Sequence, residues 1–87
     1  MNVYERVHIW VRAHRYLTKG EPDECRFTCD VLRSGQVVMG IGAHKGAFTY
    51  WMSRKVGRRG RVYAFEPQPN LANYLQGFAD SCRHKNI

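Results

Sequence analysis

Two short apolar runs flank a glycine-rich turn in the middle of this 87-residue chain. The first run covers residues 36–41, and the turn after it contains Gly42 and Gly46. The second run, residues 61–65, ends at Glu66, which lies 20 residues after Gly46. The stretch between the runs has its apolar residues at helical spacing. Strand, tight turn, helix and strand in this order predict a βαβ unit with two parallel strands.

The turn and the glutamate have the residue types that suit a nucleoside-bearing cofactor. Small residues at Gly42, Ala43 and Gly46 let a ligand approach the backbone, and the following helix N-terminus attracts a carboxylate or phosphate. Glu66 ends the second strand, where a carboxylate can accept hydrogen bonds from both hydroxyls of a ribose. Pro67 keeps Glu66 extended, because the residue before a proline disfavours helical geometry. The pattern fits both NAD and S-adenosylmethionine.

A simpler interpretation stays open at this point. The two glycines could serve only the packing of the helix on the strand, and Glu66 could be an exposed charge at a strand end. We favour the cofactor interpretation because both halves of the pattern occur at a workable spacing.

The first 34 residues predict two helices. An amphipathic helix covers residues 2–18 and ends at Gly20, and a second helix runs from Pro22 to about Arg33. The apolar face of the first helix is expected to contain Val3, Val7, Trp10, Val11 and Leu17. Its basic other face could lie on a membrane surface, although packing on a neighbouring domain is the more common arrangement.

The second half of the chain predicts alternating strands and helices. Strand 36–41, apolar on both faces as in a buried parallel strand, is followed by a helix from Gly46 to Val56 with Gly57 as its C-cap. A strand over residues 61–65 then leads into another helix. That helix has apolar residues at steps of three and four: Leu71, Tyr74, Leu75, Phe78, Ala79 and Cys82.

These elements define the predicted fold class and domains. The class is α/β, a partial Rossmann-like βαβα unit preceded by two helices. Residues 1–34 form an amino-terminal helical segment, and residues 35–87 form a truncated cofactor-binding βαβα unit. Asn86 and Ile87 look like the opening of a third strand, so we expect a chain that stops within the pattern.

The net charge of +7 raises a second class of function. Five basic residues crowd the end of the helix and the turn before the second strand: Arg54, Lys55, Arg58, Arg59 and Arg61. They could form a small module that binds nucleic acid or an anionic surface. We favour charges that offset a helix dipole, since no aromatic stacking pattern or nucleic-acid motif accompanies them. No specific nucleic-acid partner is therefore expected.

Cysteine usage and hydropathy point to the cytoplasm. Three cysteines without a secretory signal make a disulfide framework unfavourable, and Cys25 and Cys29 lack the second ligand pair of a metal site. The amino-terminal segment has neither an unbroken apolar core nor a span of about 18 apolar residues. We expect no metal and no transmembrane segment.

The two motifs together resemble the opening of FkbM-type methyltransferases, a class I family that depends on S-adenosylmethionine. The family's usual strings are V-D-I-G-A-N-x-G-x-x-T and R-V-x-A-F-E-P. This chain has Ile41 to Thr49 in the sequence IGAHKGAFT, and Gly60 to Pro67 in the sequence GRVYAFEP. The resemblance covers about residues 30–80. Gly40 stands where the family usually has Asp, and His44 where it usually has Asn.

This resemblance implies a function and a set of site residues. Gly42, Ala43 and Gly46 would line the methionine moiety of S-adenosylmethionine, and Glu66 would hold its ribose. Positions 40 and 44 belong to the same site, so the candidate cofactor residues are Gly40, Gly42, Ala43, His44, Gly46 and Glu66. The implied reaction is O-methylation of a small molecule or a sugar. The acceptor site would be built after the third strand, so we expect this truncated chain to be inactive alone, with no catalytic residue to name.

Overall fold

The computed structural model describes residues 1–19 and 22–87 of the chain. Its elements in chain order are α1 (Val3–Tyr16), α2 (Pro22–Val31), β1 (Val37–Ile41), α3 (Ala47–Val56), β2 (Arg61–Phe65) and α4 (Pro69–Ser81). β1 and β2 pair in parallel, with Val37 opposite Arg61 and Ile41 opposite Phe65. The predicted α/β class with two parallel strands and two preceding helices is confirmed. The predicted end of the first helix at Gly20 lies outside the described residues.

Local sequence signals explain where the helices begin and end. α1 starts with a capping box, in which the Glu5 N–H donates to Asn2 Oδ1 over 2.8 Å and the Asn2 N–H donates to Glu5 Oε1 over 3.2 Å. α3 ends at the predicted C-cap Gly57, which adopts φ 69° and donates its N–H to the Ser53 carbonyl. α4 begins at Pro69, because proline suits the first turn of a helix.

The hydrophobic core lies between α3 and one face of the sheet. Met52 and Val56 of α3 pack with the fully buried Val62 of β2 and with Val38 of β1. α4 lies beside α3, where the rings of Phe78 and Tyr50 stack with centroids 6.3 Å apart. This arrangement holds the carboxyl ends of both strands close to the start of α3.

α1 packs through a different face from the one that the sequence predicts. Ile9 and Ala13 are its buried residues, and the Trp51 Nε1–H of α3 donates to the Ala13 carbonyl over 2.8 Å. The predicted face is wrong for four of its five residues, which are exposed: Val3, Val7, Trp10 and Val11. Ile9 packs with Phe78 and Cys82 near Tyr50, and the hydrogen bond from Trp51 holds Ala13 against α3, so these contacts turn the Ile9 and Ala13 side of α1 inward.

The sheet also differs from the prediction that β1 is buried on both faces. Val37, Met39 and Ile41 are 67%, 67% and 78% exposed, and Tyr63 and Phe65 of β2 are about half exposed beside them. α3, against which α1 and α2 pack, covers the opposite face. Among the residues that the structure describes, the face formed by these five side chains therefore remains solvent-accessible.

Asn86 connects the end of the chain to α3 and β2. Its side-chain Nδ2 donates to the carbonyls of Ser53 and Gly57, over 2.9 and 2.8 Å, and its Oδ1 accepts from the Ser53 hydroxyl over 2.6 Å. The Asn86 carbonyl accepts from the Val62 N–H over 2.7 Å, on the edge of β2 away from β1. The predicted third-strand opening thus has one ladder-like hydrogen bond, although Asn86 and Ile87 form no assigned strand.

We predict that Asn86→Ala lowers the free energy of unfolding by about 1–3 kcal/mol, because it leaves the buried Ser53 hydroxyl without its acceptor and removes one of the two hydrogen bonds that the Ser53 and Gly57 carbonyls each accept at the end of α3. The matched control is Asn73→Ala on the exposed surface of α4. Urea unfolding followed by circular dichroism measures both variants. An Asn86→Ala chain as stable as the control would show that this network does not stabilise the fold.

Candidate active site

The glycine turn folds back over the carboxyl end of β2. The Phe65 carbonyl accepts two hydrogen bonds, from the Gly42 N–H over 2.8 Å and from the Ala43 N–H over 2.9 Å. The Gly46 N–H then donates to the Ala43 carbonyl over 3.0 Å. The turn is therefore held at the edge where both parallel strands end.

Three alternate residues of the turn have left-handed backbone geometry. Gly42, His44 and Gly46 adopt φ values of 72°, 54° and 89°. Histidine belongs with asparagine to the few side chains that are enriched in this region. A histidine at position 44 therefore suits the same turn as the asparagine of the resembling family, for a backbone reason that involves no imidazole chemistry.

The two halves of the sequence motif meet at the Glu66 carboxylate. Oε1 accepts the His44 N–H over 2.8 Å, and Oε2 accepts the Gln68 N–H over 3.0 Å. The hydrogen bond from Gln68, followed by that from His44, lowers the pKa of Glu66 below its ordinary value. The carboxylate is therefore ionised at neutral pH. Its stabilisation of the turn is lost only as the pH falls through that lowered pKa.

Gly42 and Gly46 differ in what surrounds them. A Cβ added to Gly42 would meet no atom within 4 Å, so the space above this residue is open to a ligand. A Cβ added to Gly46 would lie 3.1 Å from Leu75 Cδ2, close to the Phe78 ring of α4. Gly46 therefore allows α4 to pack closely, as expected if the glycines of the turn serve packing only. No packing contact explains the glycine at position 42.

Four of the six predicted site residues line one cavity of about 380 Å³, here called the glycine-turn cavity. These four are Gly40, Gly42, Ala43 and His44. Glu66 lines a separate cavity of about 420 Å³ between β2 and α4. Gly46 is buried beside α4 and lines neither. The hydrogen bond between Glu66 and the His44 N–H is what connects the two cavities.

The cavity that Gly40 lines also contains an unpaired hydroxyl. Thr49, in the first turn of α3, is fully buried, and its Oγ1 forms no hydrogen bond with any of the described residues. Thr49 lines the same cavity as Gly40, and a Cβ at position 40 would lie 3.0 Å from Met52 Cε. Because that contact is with the flexible end of a side chain, a larger residue at position 40 needs only a small shift of Met52.

Sequence reasoning missed several residues that line the glycine-turn cavity. Arg12 and Tyr16 reach it from α1, and Lys45 reaches it from the turn. The Arg12 Nη1 donates to the Lys45 carbonyl over 3.4 Å, which connects α1 to the turn. A signal was available, since basic residues recur at helical spacing along α1, but the sequence alone does not show which way that face points.

The basic cluster seen in the sequence lies at the C-terminal end of α3, away from the glycine turn, and consists of Arg54, Lys55, Arg58, Arg59 and Arg61. Two of its members contact aromatic rings, because the Arg54 guanidinium lies 5.4 Å from the centroid of Tyr50 and the Arg61 guanidinium 5.9 Å from that of Tyr63. Arg54 and Lys55 lie in the last turn of α3, where positive charge offsets the helix dipole. These contacts favour a structural role for the cluster.

The described part of the chain offers neither a metal site nor a membrane span. Among residues 1–19 and 22–87, no three His, Cys, Asp or Glu side chains are grouped closely enough to hold a metal ion. Within the same residues, no helix has the length and apolar character needed to span a membrane.

We predict that Thr49→Val raises the free energy of unfolding by about 1 kcal/mol, because the substitution removes a buried hydroxyl that has no partner among residues 1–19 and 22–87. The matched control is Thr28→Val, whose hydroxyl donates to the Glu24 carbonyl over 2.9 Å and which also lines the glycine-turn cavity. That control is expected to be neutral or destabilising. Thermal unfolding of both variants checks this, and a Thr49→Val chain less stable than the parent would contradict it.

Comparison with known proteins identifies the family. Residues 40–86, more than half of the chain, match the family described as the methyltransferase FkbM domain. The matched residues include the whole glycine turn, β2, Glu66 and α4. Comparisons with curated proteins and with solved structures gave no significant match. The resemblance seen in the sequence motifs is confirmed, and this chain belongs to the FkbM methyltransferase family.

Proposed function

We propose that this chain binds S-adenosylmethionine at the glycine turn and Glu66, and that it serves O-methylation of a small molecule or sugar. Support comes from the family match, which spans the turn and the glutamate, and from the position of both at the carboxyl ends of parallel strands. Cofactors of open α/β sheets bind at that edge. The elements that carry the site are those of a partial Rossmann-like unit.

The geometry of Glu66 carries the proposal. Its two oxygens each accept one backbone N–H, so about two of the four lone-pair positions of the carboxylate are used. The remaining positions can accept the two hydroxyls of a ribose. Because the lowered pKa keeps the group ionised, both acceptors are available at neutral pH. The two N–H donors also fix the carboxylate before any ligand arrives.

The glycine turn would provide open space beside its backbone for the cofactor, rather than hydrogen-bond donors. The N–H groups of Gly42 and Ala43 already donate to Phe65, and that of His44 donates to Glu66. The free N–H groups of the first turn of α3 would instead attract the cofactor carboxylate, since no side chain caps that helix. Open space over Gly42 fits a ligand close to the backbone. His44 therefore acts through its backbone, and we assign it no catalytic role.

S-adenosylmethionine supplies an electrophilic methyl group. In the transfer, the acceptor oxygen would bond to the methyl carbon as the bond from that carbon to sulfur breaks, and the hydroxyl proton would pass to solvent. Alignment of the acceptor with the methyl group is the main requirement. The residues described here hold the cofactor side of that alignment.

Two alternatives are less well supported. An NAD-binding site would use the same turn and carboxylate, but the family match favours S-adenosylmethionine. A module that binds nucleic acid through Arg54 and Arg61 is disfavoured by the contacts of both residues with aromatic rings.

A cytoplasmic location is part of the proposal, because all three cysteines are free thiols, as expected in a reducing compartment.

We predict that Glu66→Ala weakens the binding of S-adenosylmethionine at least tenfold, because a hydrogen bond to a charged group contributes about 1.5–3 kcal/mol. Calorimetric titration of the parent and the variant measures this loss. The charge-matched control is Glu24→Ala, in the first turn of α2, which should bind like the parent. Tighter binding of NAD than of S-adenosylmethionine by the parent, or no effect of Glu66→Ala, would disprove the proposal.

We predict that Gly40→Asp strengthens the binding of S-adenosylmethionine by roughly tenfold, because the new carboxylate can pair with the amino group of the cofactor. The Met52 side chain has to shift slightly, as its Cε lies 3.0 Å from the new Cβ position. Unchanged or weaker binding by Gly40→Asp, in a variant that unfolds like the parent, would contradict this role for position 40.

A further inference from the structure

A second groove, here called the basic groove, runs between α1 and the glycine turn. It has a volume of about 510 Å³ and is lined by basic side chains: His8, Arg12, Arg15, Lys19, His44 and Lys45. Four of these carry a fixed positive charge at neutral pH. Among the residues that the structure describes, no acidic side chain lines the groove.

Three of the basic residues lie on one side of α1. His8, Arg12 and Arg15 follow one another at intervals of four and three residues, which is the period of a helix face, and Lys19 lies in the turn that follows α1. Like charges at these intervals repel one another. A helix dipole accounts for Arg15 in the last turn of α1, but it gives no reason for Arg12 and Lys45 to face the same groove. An anionic ligand would relieve this repulsion.

Arg12 places the groove beside the candidate cofactor site. Its Nη1 donates to the Lys45 carbonyl, and its guanidinium lies 6.0 Å from the ring centroid of Tyr74, so the side chain is held on two sides. Arg12, Tyr16, His44 and Lys45 line both the basic groove and the glycine-turn cavity. A ligand in the groove would therefore lie next to the turn.

We infer that the basic groove binds the phosphate group of a small phosphorylated molecule. A phosphate monoester carries about −1.5 to −2 charges and several acceptor oxygens, and arginine side chains bind such groups well. A single carboxylate would neutralise less of the four charges. The volume of the groove lies within the range of small-molecule sites. If the proposed function holds, the molecule in this groove is the methyl acceptor.

A nucleic acid suits the surface less well. The remaining cluster of arginines, Arg54, Arg58, Arg59 and Arg61, lies toward the other end of the strands, where α3 ends and β2 begins. These two groups of positive charge thus lie at opposite ends of the βαβ unit and do not form one continuous face. A phosphate backbone is usually met by a continuous basic face.

The test is an NMR titration of the nitrogen-15-labelled 87-residue chain with glucose 1-phosphate, with glucose as the uncharged comparison. We expect saturable binding of the phosphate ester only, with amide shifts at Lys19 and Lys45. The pair Arg15→Gln and Lys19→Gln should weaken binding at least tenfold. The control pair Arg58→Gln and Arg59→Gln removes the same charge from the other end and should stay within twofold of the parent.

Equal losses in the two pairs, or no saturable binding by the parent, would overturn the inference. An oligonucleotide result would overturn it too, namely a single strand that binds more tightly than the phosphate ester and whose binding is weakened by both pairs of substitutions.

In a second experiment, S-adenosylmethionine is added to the phosphate-saturated chain. Binding of both ligands together supports the acceptor assignment, and displacement of the phosphate overturns it. If S-adenosylmethionine does not bind while the phosphate ester does, the proposed function and the acceptor assignment fail but the phosphate site stands.

Discussion

The structure depends on the attachment of the glycine turn to the end of β2. The Phe65 carbonyl accepts two N–H groups of the turn, and the Glu66 carboxylate accepts a third from His44. These bonds set the left-handed geometry of the turn and fix the first residues of α3 at the same edge. Without them, the turn and the glutamate would be two separate motifs. With them, the turn and the glutamate are joined into one hydrogen-bonded unit, and under the proposed function this order before binding would reduce the entropy cost of binding a cofactor.

The charge around this site differs from the one that the family motif implies. Position 40 is a glycine where the family motif has an acid, the Thr49 hydroxyl has no hydrogen-bond partner among the described residues, and Arg12 and Lys45 line the same cavity. Under the proposed function, the end of the site that would take the methionine moiety is more positive than in a member that keeps the aspartate, and it would favour the carboxylate of the cofactor over its amino group. The glycine-turn cavity shares Arg12, Tyr16, His44 and Lys45 with the basic groove.

Much of the fold could be predicted because its signals are local. Neighbouring residues determine the backbone geometry at the two apolar runs, at the glycines of the turn and at the C-cap Gly57, so a short stretch of sequence is enough to predict each of them. The failures concern choices made by tertiary packing. The sequence does not show that α1 packs through Ile9 and Ala13, since its larger apolar residues form an equally good helical stripe. Nor does it show that Asn86 caps α3 from a distance of 33 residues. In the candidate site, the hydrogen bond of Glu66 to His44 depends on both elements being folded, so the motifs predict the two residues but not their contact.

The central claim is that the glycine turn and Glu66 form one cofactor site. The most direct test is the amide NMR spectrum of the chain as S-adenosylmethionine is added. The account predicts that the largest shifts occur together at Gly42, Ala43, His44 and Gln68, because the amides of these residues hold the turn or the carboxylate. Shifts confined to α1 and the exposed ring of Trp10, with the turn and Gln68 unchanged at saturation, would contradict it.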